Sequence, residues 1–212
     1  MIFRQLTDPE SWTYTYLFGF PETGEALLLD PVCEMIDRDL SVIQELGLTL
    51  SYTLETHVHA DHITSACRLR SLTGCKVVYP AMDNLLDEAG MGQIFTGDAL
   101  LIDGCGRTDF QSGDAATLYR SVHDKLFTLP DETLVYPAHD YQHRHVSSIG
   151  QEKERNARLG DNRSMDEFIE IMDNLNLPYP KRIDVAVPAN LLCGDCTEDV
   201  LVNEPEGPSM QG

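Results

Sequence analysis

The stretch Thr56-His57-Val58-His59-Ala60-Asp61-His62 places three imidazoles and one carboxylate within seven residues. Because His57 and His59 are two positions apart, they project to the same side of an extended segment. Imidazole and carboxylate groups together form a donor set that suits zinc, iron or manganese. The alternative, a solvated histidine-rich loop, would crowd competing polar rings together with no gain in packing. The stretch therefore predicts a metal site.

The surrounding sequence predicts an α/β layered fold. Apolar alternation and short apolar runs predict strands at 11–18, 25–30, 50–55, 76–79 and 134–136. Helical spacing predicts helices at 37–46, 63–72, 113–127 and, after a capping box at Ser164, to about Leu175. The strand at 50–55 delivers the histidine stretch at its carboxyl end. Strands separated by single helices, with polar side chains at strand ends, are typical of this class.

Composition favours a single globular domain. The chain has 212 residues, of which 42% are hydrophobic, and we expect a domain at 1–197 and a disordered polar tail at 198–212. No window approaches the ~20 apolar residues of a membrane span. No leader is recognisable, so we expect a cytoplasmic protein, or one of the mitochondrial matrix if a transit peptide has been removed. A net charge of −20 argues against a nucleic-acid partner.

Six cysteines without a secretory signal indicate reduced thiols. Cys193 and Cys196 have the C-x-x-C spacing of redox and zinc sites, but a plain pair of thiols is the favoured interpretation.

Asp98 and His139 are further candidate ligands. Asp98 follows the apolar pair Ile94-Phe95 through Thr96-Gly97, where the glycine allows the backbone to turn sharply. His139 leaves its strand through Pro137-Ala138 in a similar way. From the residues alone, an aspartate after glycine is more often a turn residue, and a histidine after a strand is often an exposed loop residue. Both alternatives stay open at this level.

The run H-x-H-x-D-H resembles the signature of the metallo-β-lactamase superfamily. Four further blocks resemble its persulfide dioxygenases, in the same order along the chain: 95–111, 136–141, 174–178 and 187–190. The resemblance extends from about Phe3 to Cys193. It implies an αββα sandwich whose metal lies at one edge, where loops from both sheets meet.

The resemblance also implies site residues. It implies one Fe(II) per chain, with zinc as the alternative, bound by two histidines and one carboxylate with open positions for O₂ and substrate. His57 and Asp98 match two of these ligands, and His59 is the third candidate. Asp61, His62 and His139 match positions that bind a second metal or orient the first set. We expect Arg107 to be structural, pairing with Asp109 or Asp140 near the site, and Tyr141 to meet the substrate.

One segment of the family pattern is absent. Relatives carry a long segment, ending in a Pro-Gly-His-Thr turn that supplies a histidine ligand, between the counterparts of Tyr79 and Phe95. Here that interval contains no histidine, and 82–88 predicts a short amphipathic helix, so several strands of the sandwich should be missing. Either the ligand is lost, or it is replaced by another side chain. The candidates are His59, His139, His143, His145 and Asp83.

The function implied is oxidation of glutathione persulfide by O₂ to sulfite and glutathione, in sulfide catabolism. The implied partners are those two small molecules, with a homodimer as a possibility and neither nucleic acid nor membrane. A thioester hydrolase of the glyoxalase II type, with two metals activating water, is the first alternative. The blocks at 104–110 and 187–190 favour the dioxygenase. A catalytically impaired, non-enzymatic relative is the other alternative.

Overall fold

The computed structural model describes residues 1–78, 92–110 and 113–194, which form two sheets packed face to face. The first sheet has the order β1-β2-β3-β4-β5, antiparallel from β1 to β3 and parallel from β3 to β5. The second has the order β6-β7-β8, with β6 and β7 parallel. The strands are β1 (Ile2–Thr7), β2 (Tyr14–Phe20), β3 (Glu25–Leu29), β4 (Thr49–Leu54), β5 (Lys76–Val78), β6 (Gln93–Gly97), β7 (Leu134–Pro137) and β8 (Ser147–Ser148).

Aromatic side chains fill the space between the sheets. The alternation that predicted β2 places Tyr14, Tyr16 and Phe18 on one face, where they meet Phe95 of β6 and Tyr136 of β7. The ring centroids of Tyr16 and Phe95 are 4.9 Å apart, in an edge-to-face arrangement that aromatic pairs favour. The Tyr16 hydroxyl also donates to the carbonyl of Pro137. The rings therefore fix the relative position of the two sheets.

Helices cover the outer face of each sheet. On the first sheet, α1 and α2 bury Ile36, Ile43 and Leu69 against β2, β3 and β4. On the second, the helices after β6 bury Val122, Phe168 and other apolar side chains against Ile94 and Val135. The helices are α1 (Ile36–Glu45), α2 (Ala66–Thr73), α3 (Ala115–Ser121), α4 (Ile149–Arg155), α5 (Met165–Asp173) and α6 (Ile183–Leu191). The result is the predicted layer order αββα.

Two predicted helices differ from the observed ones at their ends. The helix expected from Ile63 begins only at Ala66, because residues 63–65 pair with the chain near 31–33 through Cys33 N–H to Ile63 and Ser65 N–H to Pro31. The helix expected at 113–127 begins at Ala115, capped by Asp114, and ends in a π-helical turn at Val122–Leu126. The predicted capping box at Ser164 is confirmed.

Some predictions lie outside the described residues: the short helix at 82–88, the replacement ligand Asp83, Cys196 and the tail from 198. Within the ranges that are described, no helix has the length and apolar character that crossing a membrane demands.

The fold gathers several chain segments at one edge. The stretch from Thr56 follows β4, Asp98 follows β6 and His139 follows β7. Thr13, directly before β2, forms an isolated bridge with His139, and the Tyr14 N–H donates to the carbonyl of Ala138. Since these contacts join the two sheets, the ends of their strands meet here.

Candidate metal centre

The six candidate donors lie together at this edge of the sandwich. The His59 ring is 4.0 Å from the His57 ring and 4.3 Å from the His62 ring, measured between centroids. His57 Nε2 is 3.9 Å from Asp98 Oδ2. His59 also belongs to a second group, in which one donor atom of each member lies within 4.8 Å of the others. Its members are His59, Asp61, His62 and His139. The structure thus brings these six side chains together at one edge.

Asp30, at the end of β3, orients two of the histidines. Asp30 Oδ1 is 3.1 Å from His59 Nε2, and Asp30 Oδ2 accepts from the Thr56 hydroxyl at 2.8 Å. Because that hydroxyl donates its only proton to Asp30, it accepts from the Nδ1–H of His57, 2.9 Å away. His57 therefore presents a lone pair on Nε2 toward Asp98, and His59 presents Nδ1 toward the rest of the cluster.

Thr13 lies among three of the other donors. Its hydroxyl is 3.2 Å from Asp61 Oδ2, 3.2 Å from His62 Nδ1 and 3.1 Å from His139 Nε2. His62 Nδ1 is also 3.3 Å from Asp61 Oδ2, an atom that only accepts when ionised. The proton of His62 therefore belongs on Nδ1, and the lone pair is on Nε2.

His139 bridges two carboxylates. Its Nδ1 is 2.7 Å from Asp98 Oδ1 and its Nε2 is 2.8 Å from Asp61 Oδ2. Burial lowers the pKa of His139, but the charge of Asp98 and the hydrogen bond to Asp61 outweigh it, so the pKa lies well above the usual value. Burial disfavours the charged form of Asp98, yet His139 holds the pKa of that carboxyl below its normal range. The three groups behave as one ionic unit.

The other two rings differ in their ionisation. Burial and the neighbouring charge of His59 lower the pKa of His57 to about 4, which keeps this ring neutral and its Nε2 available. Burial opposes the charged form of His59, but the carboxylates of Asp30 and Glu55 raise its pKa to about 10. Metal binding at His59 Nδ1 must therefore displace a proton.

These residues fit a metal ion. Among the described residues, His59 Nδ1 and His62 Nε2 are buried nitrogens with no hydrogen-bond partner. An orphaned polar atom in the interior costs free energy, which a bound cation would recover. Imidazole nitrogens whose other nitrogen is held by a carboxylate are typical of metal sites. The donor set of histidine and aspartate is the one that zinc and iron take.

The sequence profile of the Metallo-beta-lactamase superfamily matches residues 13–93. Persulfide dioxygenase ETHE1, mitochondrial, from Mus musculus is 46% identical over 92% of this chain and 89% of its own length. The Homo sapiens protein of the same name is also 46% identical, with the same coverage. This chain belongs to the persulfide dioxygenases of the metallo-β-lactamase superfamily. The crystal structure of ETHE1 from Myxococcus xanthus superposes with a TM-score of 0.85 at 49% identity, covering 92% of this chain and all of that one.

The alignment to the mouse persulfide dioxygenase extends over 228 positions, more than the 212 residues of this chain. Some residues of the relative therefore have no counterpart here, in agreement with the absent histidine-bearing segment. A more distant relative, a metallo-β-lactamase from Staphylococcus aureus, is 20% identical with a TM-score of 0.78 and supports the same fold.

Of the candidate replacements for the absent ligand, two lie away from the donors of this persulfide dioxygenase. His145 is exposed and bonds Gln5, while His143 packs edge-on against Trp12 at 4.6 Å. His59 and His139 are the candidates that the fold brings to the cluster.

Arg107 and Asp140 support the site through separate partners. Arg107 forms a bidentate pair with Asp109 at 2.6 Å and also donates to the carbonyl of Pro178. Asp140 is instead paired with Arg144. The alternative pairing of Arg107 with Asp140 is therefore wrong, because Arg144, four residues along, occupies the Asp140 carboxylate. The glycine loop does pack on the site: Gly106 N–H donates to the Asp98 carbonyl at 2.7 Å.

Glycine is required at Gly97 and Gly106, on either side of Asp98. Gly97 has φ +52°, and a Cβ there would lie 3.0 Å from the Thr56 hydroxyl. A Cβ on Gly106 would lie 2.8 Å from the Asp98 carbonyl oxygen. The turn expected at Gly97 is confirmed, and it is this turn that aims Asp98 at His57.

A cleft of about 950 Å³ opens over the cluster. His57 and Asp98 lie on its wall with side chains 31% and 39% exposed, whereas His59 and His62 are almost fully buried. Tyr141 also lines the cleft, and its ring stacks on His139 with an interplanar angle of 10°. Tyr141 therefore lies on the wall of the cleft beside His139.

Asp30, Thr13 and Asn190 are site residues that the sequence did not reveal. Asp30 ends an apolar run before Pro31, which is also the pattern of an ordinary turn. Thr13 lies within a strand-like alternation and carries no signal of its own. Asn190 stands in the Val187-Pro188-Ala189-Asn190 block, whose sequence resembles the family pattern but indicates no role for the asparagine. Each role depends on contacts between residues far apart in the sequence.

Proposed function

We propose that this chain oxidises the outer sulfur of glutathione persulfide with O₂. One persulfide, one O₂ and one water yield glutathione, sulfite and two protons, so the sulfur supplies all the electrons that reduce O₂. The proposal is supported by the name and 46% identity of the mouse and human relatives, which this chain matches over 92% of its length. The expected compartment is the cytoplasm, or the mitochondrial matrix if a transit peptide has been removed; both relatives are named as mitochondrial.

The observation that carries the proposal is the placement of His57 and Asp98. They are partly exposed and lie 3.9 Å apart on the wall of the cleft, while the surrounding histidines are buried; Asp61 is the other partly exposed member of the cluster. A donor pair that faces a cleft leaves coordination positions open to small molecules. This is what a reaction between O₂ and a thiol-type substrate requires.

We propose one ferrous ion per chain, with His57, Asp98 and His59 as its ligands. His59 is preferred to His139 because its Nδ1 has no hydrogen-bond partner among the described residues, while both nitrogens of His139 bond carboxylates. A ferrous ion there supplies the open positions and the redox chemistry for O₂ and persulfide. Asp61, His62 and His139 then orient these ligands.

The walls of the cleft suit an anionic peptide. Although the chain carries a net charge of −20, the cleft is lined by several basic side chains, among them Arg158 and Lys181, while Arg107 is engaged by Asp109. Carboxylates of a glutathione moiety would bind such groups, and Tyr141 would contact the substrate above His139. The sulfur would then point down toward His57 and Asp98.

The experiment measures bound iron and O₂ consumption with glutathione persulfide. Wild-type protein should retain iron and consume O₂ while producing sulfite. His57→Ala and Asp98→Ala should lose both properties, because each removes a ligand. His145→Ala, an exposed histidine that lies away from the cluster, is the control and should behave as wild type. Iron-loaded protein that leaves persulfide unoxidised would refute the proposal and favour a non-enzymatic relative.

A thioester hydrolase remains the second candidate, favoured by one observation. The donors of His59, Asp61, His62 and His139 lie within 4.8 Å of one another, so with His59 on the first metal the other three would remain for a second metal beside it. Two metals would activate a water molecule for hydrolysis. Hydrolysis of a glutathione thioester by protein loaded with two zinc ions per chain, without persulfide oxidation by the iron form, would establish this alternative.

A further inference from the structure

The helix α6 (Ile183–Leu191) ends in a buried asparagine that no step above uses. Asn190 is 2% exposed and belongs to the Val187-Pro188-Ala189-Asn190 block, which the sequence singled out without a role. It is the last residue but one of the helix, and its side chain turns toward the loop that carries the metal donors.

Asn190 makes three hydrogen bonds to the backbone of that loop. Its Nδ2 donates to the carbonyls of His59 and His62, both at 2.8 Å. Its Oδ1 accepts from the N–H of Thr64 at 2.9 Å. Carbonyls only accept and an N–H only donates, so the three contacts fix the orientation of the amide. A single side chain thereby sets the spacing of residues 59, 62 and 64.

The chain after Asn190 stays against the same loop. The carbonyl of Cys193 accepts from the N–H of Cys67, at the start of α2. Gly194 has φ +69°, and a Cβ there would collide with the carbonyl of Thr64. On the other side, Ile63 packs against Ala186 and Ala189 of α6. The loop is therefore held from outside by α6 and from inside by Thr13 and Asp30.

We propose that Asn190 is a positioning residue for the metal centre. It fixes the carbonyls of His59 and His62, and through them the directions of His59 Nδ1 and His62 Nε2, the two buried nitrogens left without partners. Its role in catalysis rests on the proposed iron function, but its role in holding metal does not. Residues that hold ligands from behind typically change metal affinity about 10–100-fold when replaced.

The test compares Asn190→Asp with wild type by titrating metal-free protein with Co(II) and following its visible absorption. The aspartate keeps the acceptor for Thr64 but puts an oxygen opposite two carbonyls, so both donations are lost. We expect weaker Co(II) binding by about 10–100-fold and an altered band shape. Amide hydrogen exchange should rise at residues 59–64 and stay unchanged in β1–β3. Co(II) binding requires neither persulfide nor O₂, so this result is independent of the proposed reaction.

Asn174→Asp is the matched control. Asn174 caps the C-terminal end of α5 and donates to a backbone carbonyl, that of Glu170, but it is exposed. The Asn174→Asp variant should bind Co(II) with the affinity of the wild type. Asn190→Ala, which removes all three bonds without adding charge, is the second variant and should also bind Co(II) more weakly. If either folded Asn190 variant shows wild-type affinity and spectrum, the proposal is wrong. If both variants fail to fold, Asn190 serves stability alone, and the positioning role is equally refuted.

Discussion

The carboxylate of Asp30 accepts from Thr56 and bonds His59, and Thr56 in turn holds His57. One buried acid thus sets the usable nitrogen of two candidate ligands. Its backbone has φ +53°, a left-handed conformation that is uncommon outside glycine but tolerated by aspartate and asparagine. The turn after β3 thus brings the Asp30 carboxylate within hydrogen-bonding distance of Thr56 and His59.

Asp30→Asn should weaken metal binding by about 10–100-fold, because the amide lacks the charge and offers an N–H where Thr56 needs an acceptor. Thr56→Val should weaken it less, since only the link to His57 is removed. Affinity is measured by competition with a coloured chelator. Asp161→Asn is the control, because Asp161 is exposed and has a similar φ of +54°. Equal affinity for Asp30→Asn and wild type would contradict the role assigned to Asp30.

Arg107→Ala should destabilise the protein by only about 1 kcal/mol or less, as for exposed ion pairs. The pair counts as exposed because the Asp109 side chain is 52% exposed. Arg144→Ala should cost more, since its partner Asp140 is only 4% exposed and would be left buried with its charge. Urea unfolding of both variants tests the order. A larger loss of unfolding free energy for Arg107→Ala than for Arg144→Ala would mean that the hydrogen bond from Arg107 to the Pro178 carbonyl contributes more than the ion pair.

At the level of elements, helix α1 carries a buried aspartate, Asp39, on the side that faces the core. Asp39 is fully buried and pairs with Arg38, but its Oδ2 has no partner among the described residues. Burial raises the pKa of Asp39 to about 6, against the opposing effect of Arg38. A raised carboxyl pKa means that the folded state holds this proton more tightly than the unfolded state. Stability from this group is therefore lost as pH rises from about 4 to about 6.

Asp39→Asn should remove that dependence. Relative to wild type, the free energy of unfolding of the variant should rise between about pH 4 and pH 6, by up to about 3 kcal/mol, and stay constant above. Chemical unfolding at a series of pH values measures the difference. Asp37→Asn, at an exposed position of the same helix, is the control for removing a carboxylate from α1. If the difference in unfolding free energy between Asp39→Asn and wild type did not change with pH, the raised pKa of Asp39 would be contradicted.

Elements with a clear periodic pattern could be predicted, and those without one could not. Helix α5 was predicted because Ser164 and Glu167 form a capping box and Phe168 and Met172 share a buried face. Helix α6 was missed because it is apolar nearly all round and contains Pro188, which normally disfavours a helix interior. The histidine stretch predicted directly that His57, His59, Asp61 and His62 lie in one cluster. Asp30, Thr13 and Asn190 act only through long-range contacts, which no local pattern encodes.

At the level of the whole molecule, the negative net charge opposes the approach of the proposed substrate. The chain carries −20, and glutathione persulfide is an anion at neutral pH, so the long-range field slows its approach. Basic groups in the cleft, such as Arg158 and Lys181, act only at short range. The homodimer suggested by the sequence stays a prediction, which size-exclusion chromatography with light scattering would test.

Raising the ionic strength should therefore increase kcat/KM for the persulfide. At 0.15 M salt the Debye length falls to about 8 Å, which screens the distant acidic surface but not the cleft. Initial rates of O₂ uptake from low to physiological salt measure the effect. The KM for O₂, which is uncharged, is the internal control and should not change. A fall in kcat/KM with salt would show that the basic wall dominates the encounter.

The hydrogen bond from Asn190 to the carbonyl of His59 joins residues 131 positions apart. During synthesis the histidine stretch leaves the ribosome long before its outer support exists. At about 5–20 residues per second, the delay is on the order of ten seconds. Until Asn190 has been made, the loop has Asp30 and Thr13 beside it but lacks its outer support, so the spacing of its donors is not yet fixed from that side. We therefore expect tight metal binding only after α6 has docked on this loop.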